Sequence, residues 1–381
     1  MYGLIIAVGL LIPIIAKVVF HRNITILEMV IQITVVMGLV IGGYNIAKWG
    51  SLQDTEVWNG ALVSHNRVND SHMESYSCNC RTVCSGSGNT RSCSTHCDTC
   101  WRRRYTVDWY YNTTIGNFSV GHRNSLSSSV HRVADPAHFV DAWDGMPVSR
   151  EHGYTNYILG ARRSLFNVDG TIMDRWEDMI PEYPRVYDYT EIDRVVPGGY
   201  ETFPNMSFVR ELDEELDNCL RELGPEQQVN IVVVLANSQS SNYADALEME
   251  WSGGKKNDVI VVIGAPNYPE IAWVDTLTLA GNFGNTLLVD AMATSLNQIG
   301  TLEDAQLISE TIQNNVREHF ERVPMENFEY LRSEVRPNPW VVWTLMVVSI
   351  LVSGGLTILF QRYDISIEAF RNRGYRRYRR W

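Results

Sequence analysis

The 381-residue sequence predicts an α/β sandwich joined to a small Cys-rich β region, the whole carried on three transmembrane helices. Three observations predict it. Long apolar stretches lie near both ends, six of the seven cysteines fall within residues 78–100, and two continuous β-branched runs alternate with amphipathic helical patterns. An apolar content of 45% is enough to fill a core. The formal charge of -12 argues against nucleic acid as a partner, because such binding is mostly phosphate neutralisation.

Taken in order, Tyr2 to Phe20 is apolar except for Lys17, and Ile24 to Ala47 carries only Glu28, Gln32 and small polar residues. Each is long enough to cross about 30 Å of hydrocarbon, so residues 1–47 read as a transmembrane hairpin with helices at 2–20 and 24–47. A basic n-region and a small-residue cleavage site are both missing, so the first segment is expected to be retained rather than removed as a signal peptide. Glu28 and Gln32, one turn apart, are expected to face protein rather than lipid. Trp340 to Phe360, within residues 339–361, has no charge and opens on an aromatic pair suited to the membrane interface.

Charge sets the orientation. Lys17 and Arg22 lie between the first two segments, and the tail 362–381 carries seven arginines against Asp364 and Glu368, net +5. Both are expected on the cytoplasmic side of an inner membrane, and three crossings then place the N-terminus and the central region outside. The tail, with Arg371, Arg373, Arg376, Arg377, Arg379 and Arg380 beside Tyr378 and Trp381, is expected at the anionic surface of the bilayer.

Residues 48–200 form the Cys-rich, β-rich region. Cys78, Cys80, Cys84, Cys93, Cys97 and Cys100 are spaced C-x-C-x3-C-x8-C-x3-C-x2-C, with Gly86 and Gly88 offering turns between them. Outside the cytoplasm this reads as up to three disulfides, with fifteen pairings open. The alternative is zinc, held by thiolates of the same set with His96. Arg102–Val107, Asp108–Thr113 and Gly116–His122 read as short strands, with Arg102, Arg103 and Arg104 as a solvated edge, and Val168–Thr171 as a hairpin turn.

Residues 201–325 change period. Phe208–Leu223 reads as an amphipathic helix stopped by Gly224 and Pro225, with Cys219 a buried thiol in its apolar stripe. Val229–Ala236 and Asp258–Gly264 read as buried strands and Glu270–Asp275 as a third. Asn242–Trp251, Asn285–Ile299 and Leu302–Arg322 read as helices, and 326–338 as a linker to the last membrane segment.

The stretch from Phe208 to Arg322 resembles the TPM domain family, found in membrane-tethered exported proteins and in thylakoid-lumen proteins of photosystem repair. The residues that carry the resemblance are the NIVVVLA strand, Tyr243-Ala244, Trp251, the turn Gly253–Asp258 and the VIVVIG strand. Pro266-Asn267-Tyr268 stand where that family usually has a basic residue. The upstream blocks DTCWRRRYTVDW and GMPVSREHGYTNYILGARRSLF are similar to uncharacterised membrane proteins of large tailed bacteriophages and some bacteria. The TPM resemblance implies divalent-metal binding and, in places, phosphatase activity. Mapped by motif, it points to Asp258, Asp275 and Asp290 as carboxylates that would hold calcium at one sheet end.

P-loop, GxGxxG, HExxH and GxSxG motifs are absent from the sequence. The expected function is therefore non-enzymatic: a membrane-anchored protein presenting a disulfide-stapled extracytoplasmic domain to a protein partner or a second copy, for interaction or envelope-associated assembly. The alternative is a divalent-metal-dependent, phosphatase-like hydrolase.

Overall fold

The computed structural model describes residues 2–20, 24–85, 92–158, 175–279 and 284–362. The Asp-Gly turn at 168–171, the glycines 86 and 88, and the basic tail arginines 371–380 lie outside the described residues.

The chain forms two compact units, one holding the terminal apolar helices and the other, within Thr55–Val323, holding the bulk of both sheets. In the first unit, α1 (Tyr2–Val19) and α2 (Ile26–Gly50) precede the sheets and the last helix follows them. Thr25 caps α2: its hydroxyl accepts from Glu28 N, and the Glu28 carboxylate accepts from Thr25 N, a reciprocal capping box.

The second unit begins with a sheet of four strands. These are β1 (Gln53–Ser85), β2 (Ser92–Thr113), β3 (Gly116–Ser125) and, after a short helix α3 (Ala137–Val140), β4 (Pro147–Thr155), in the order β3-β2-β1-β4. Its core gathers Leu62, Val107, Trp109, Tyr111, Val120, Phe139 and Val148. The two strands expected at 102–107 and 108–113 are one continuous strand, because no turn residue separates them and β1 pairs along the whole length. Arg102 and Arg104 do not form a free solvated edge, since both bond Glu74 across the ladder; Arg103 between them points to solvent.

An α/β sandwich completes this unit. Its elements are β5 (Val195–Gly198), α4 (Met206–Gln227), β6 (Asn230–Ala236), α5 (Asn242–Glu250), β7 (Asp258–Gly264), β8 (Trp273–Thr278), α6 (Thr286–Ile299) and α7 (Ala305–His319). The strands lie in the order β5-β6-β7-β8, parallel except for antiparallel β8. Continuous β-branched runs suit β6 and β7 because each is buried on both faces: Ile231, Val233 and Leu235 meet α4, α6 and α7, while Val232, Val234 and Ala236 meet α5. The parallel strands step in one direction while α4 and α5 cover opposite faces, so the two crossovers differ in hand and one is of the rare left-handed kind.

Gly224 and Pro225 do not stop α4, which runs on to Gln227 and ends on Gln228 in the left-handed conformation. Pro225, inside this last turn, has no N–H for the carbonyl four residues back. Glycine is required at 224 by packing, since a Cβ there would lie 2.2 Å from the backbone oxygen of Asn59 on β1.

The last helix, α8 (Pro339–Arg362), closes the first unit against α1 and α2. The amide of Gln32 donates to Ser353 O at 2.8 Å, to Ser353 Oγ at 2.7 Å and to Thr357 Oγ1 at 3.0 Å, tying α2 to α8. Glu28 and Gln32 are both fully buried, facing protein as expected. Among the described residues two helices, α2 and α8, are long and apolar enough to cross a membrane, where three were expected. α1 is shorter than either: its 18 residues span about 27 Å as a helix, against roughly 30 Å of hydrocarbon. Residues 326–338, expected as a linker, are largely the 3-10 helix Met325–Ser333, with Met325, Phe328 and Leu331 buried.

Candidate functional site

The six clustered cysteines lie on the outer part of the β1–β2 hairpin, paired as Cys78–Cys100, Cys80–Cys97 and Cys84–Cys93. With every sulfur of the cluster in an S–S bond, the zinc alternative has no thiolates, and His96 lies beside Ser94 Oγ at 3.1 Å. Cys84 and Cys93 face each other directly. The register then slips between Cys78 and Arg81, where Asn79 takes a φ of 47°, a conformation asparagine tolerates. That slip lets the C-x-C of one strand meet the C-x2-C of the other.

β3 pairs with β2 only as far as Tyr105, so beyond this point the hairpin is a two-stranded ribbon. Its residues 71–85 span about 50 Å and are solvent-exposed at nearly every position. An isolated hairpin is marginal in water, and three cross-strand staples supply the order a core would otherwise give. On one face, Arg102 and Arg104 bond Glu74, and the Arg102 guanidinium lies 4.8 Å from the centre of the Tyr76 ring. The other face carries Met73 opposite Arg103 and Ser75 opposite Trp101.

A second constellation joins the first sheet to the sandwich. Arg194, 1% exposed, lies just before β5. Its Nε donates to Asp217 at 2.5 Å, Nη1 to Asn230 Oδ1 at 2.7 Å, and Nη2 to Asn59 Oδ1 and Ser149 Oγ, each at 2.7 Å. The amide of Asn230 donates in turn to Asp258 at 2.9 Å. Asp213, one helical turn before Asp217 on α4, accepts the backbone N–H groups of Arg194 and Val195. Burial, with Asp217 nearby, pushes its carboxyl up to about 6. Beside this network Glu56, fully buried, accepts from Arg322 Nη2 at 2.8 Å and from Trp58 Nε1 at 3.0 Å. Asn230 and Asp258 open their strands, so the junction lies at the amino ends of β6 and β7, opposite the edge where sheets of this class take ligands.

The three carboxylates expected to bind calcium do not converge. Asp258 accepts from Asn230, from Tyr183 at 2.8 Å and from Lys255 N at 2.7 Å; burial raises its carboxyl and these bonds oppose the rise. Asp275 pairs with Val262, four residues along β7 from Asp258 and so about 13 Å away. Asp290 is exposed on α6. Among the described residues no three His, Cys, Asp or Glu side chains are grouped to hold a metal ion. The antiparallel register of β8 is the reason, because it places Asp275 toward the far end of the sheet.

Asp275 instead shares its surroundings with Asp245 and Glu248 of α5. Burial first, then Asp245 and Asp275, push the Glu248 carboxyl up to about 7. A carboxyl whose folded value is raised stabilises the fold while protonated, so this contribution is present below the ordinary value of 4.5 and is lost as pH rises through about 7. Thermal unfolding of Glu248→Gln and the parent chain should therefore diverge across that interval, the parent losing more stability toward neutral pH than the variant. Parallel curves would mean that Glu248 is not held up by its neighbours.

Between the loop before β5 and the end of α5 lies an open cleft of about 590 Å³. Its apolar lining includes Ile180, Pro181, Tyr183 and Trp251, and its acidic residues are Glu151, Glu177, Glu182 and Glu250, against Arg185 and Lys255. Tyr183 and Trp251 meet edge to face at 5.2 Å. Cys219 is buried, and its surroundings push the thiol up to about 12, which keeps it unreactive.

No protein-family model matches the chain, and no curated protein or solved structure is significantly similar to it.

Proposed function

We propose that this chain is a membrane-anchored interaction protein that holds a disulfide-stapled domain outside the cytoplasm to engage protein, in envelope-associated assembly, rather than an enzyme. The observation that carries the reading is the rigid, exposed, triply stapled ribbon in a chain flanked by two helices of membrane-spanning length. Disulfides persist in oxidising compartments, which favours the exported side. Large exposed apolar residues on both helices, among them Ile26, Ile46, Leu351 and Ile358, suit contact with lipid. Two crossings put the residues before α2 and the basic tail on one side, so Lys17, Arg22 and the tail arginines all face the cytoplasm while the sheets lie opposite. The likeness to the TPM family and to phage membrane proteins rests on the quoted residues alone, and the scattered carboxylates give the hydrolase reading no support.

Topology tests this reading. Alkaline phosphatase fused after Ser333 should be active in cells and a fusion after Trp381 silent. Alkylation of the denatured, unreduced protein should modify one thiol, Cys219. The reverse pair of fusion activities, or seven modified thiols, would overturn it.

A further inference from the structure

We infer that the ribbon of one copy docks into the acidic cleft of a second copy, with Met73, Trp101 and Arg103 as the contact. This deepens the proposed interaction role and rests on it. Met73 is 51% exposed and Trp101 62%, and the register sets Met73 beside Arg103 with Trp101 two residues away on the same face. Tryptophan, methionine and arginine are the residue types most enriched at protein interfaces, and here they sit on a backbone already ordered by three disulfides, so little entropy is lost on binding.

Charge selects the occupant. Arg102 and Arg104 are held by Glu74 on the opposite face, so Arg103 is the cation that stands between Met73 and Trp101. The cleft offers the complement: Ile180, Pro181, Tyr183 and Trp251 line it together with Glu151, Glu177, Glu182 and Glu250, which outnumber Arg185 and Lys255. Within one chain Trp101 and Met73 stand open to solvent, so the ribbon does not fill its own cleft. A second copy supplies both halves.

The test uses the full chain in detergent micelles. Sedimentation should show reversible self-association, and Trp101→Ala should raise the dissociation constant at least about tenfold, as removal of an interface anchor does. Arg103→Glu should weaken it comparably, and combining Arg103→Glu with Glu177→Arg and Glu182→Arg should recover most of the loss. A p-benzoylphenylalanine placed at position 101 should cross-link to a peptide of the cleft, within 177–185 or 250–255, of another copy. A chain that stays monomeric, self-association that ignores both ribbon variants, or cross-links to another region or another protein would each overturn the inference. The topology and thiol results are read independently of these outcomes, so failure of the docking leaves the exported, stapled domain standing, and failure of the topology is seen separately.

Discussion

Replacing Arg194 by leucine should lower the unfolding free energy by about 3–5 kcal/mol, the cost of removing one partner from a buried charged network. The guanidinium serves Asp217, Asn230, Asn59 and Ser149 at once from a position 1% exposed. Without it these acceptors remain buried with their donor gone, which is worse than never having placed them there. Arg194→Lys should recover only part of the loss, because an ammonium lacks the planar fork that reaches several acceptors. Asp217→Asn should cost less, because the amide oxygen can still accept from Arg194 Nε and only the charge of the pair is lost. Chemical denaturation followed by tryptophan fluorescence on the full chain measures all three. Equal effects for Arg194→Leu and Asp217→Asn would mean that the network is not the joint between the first sheet and the sandwich.

Reduction should have a large but local effect. The three disulfides join residues separated by 22, 17 and 9 positions, and a loop of this size is worth about 3 kcal/mol taken alone, with nested loops adding less than their sum. Among the described residues no third strand and no core backs the ribbon they staple, so once reduced it lacks the burial to stay folded. Limited proteolysis of the reduced protein should cut within residues 72–104, while the main thermal transition of the remaining chain persists. Replacing all six ribbon cysteines by serine should reproduce the pattern. Loss of the main transition on reduction would show that the ribbon supports the core, contrary to the separate clusters around Trp109 and around Leu212.

The order of the sandwich was legible because its signals are local. NIVVVLA and DVIVVIG are continuous β-branched runs, and the stripe from Phe208 to Leu223 has helical period, so each element declares its own burial. The long strand β1 was not legible. Its outer half is polar and exposed on both faces, and a strand ordered by covalent links shows no hydrophobic alternation. The disulfide pairing was nearer the surface of the sequence: Cys80 and Cys84 are spaced like Cys93 and Cys97, the mirror spacing that an antiparallel hairpin needs to match both pairs.

By itself, the sequence determined which segments are apolar enough to sit against lipid or form a buried sheet, and that six cysteines must be linked, since these follow from composition and period within a few residues. Only the tertiary structure decided that Pro225 stays inside its helix and that Asp258, Asp275 and Asp290 stand apart. It alone assembled Asn59, Ser149, Arg194 and Asn230 into one network. Those outcomes depend on helix ends, strand register and close approach of backbones distant in the chain. The local pattern of a sequence does not carry such quantities, because each is set by whichever packing buries the most apolar surface while leaving the fewest polar groups unpaired.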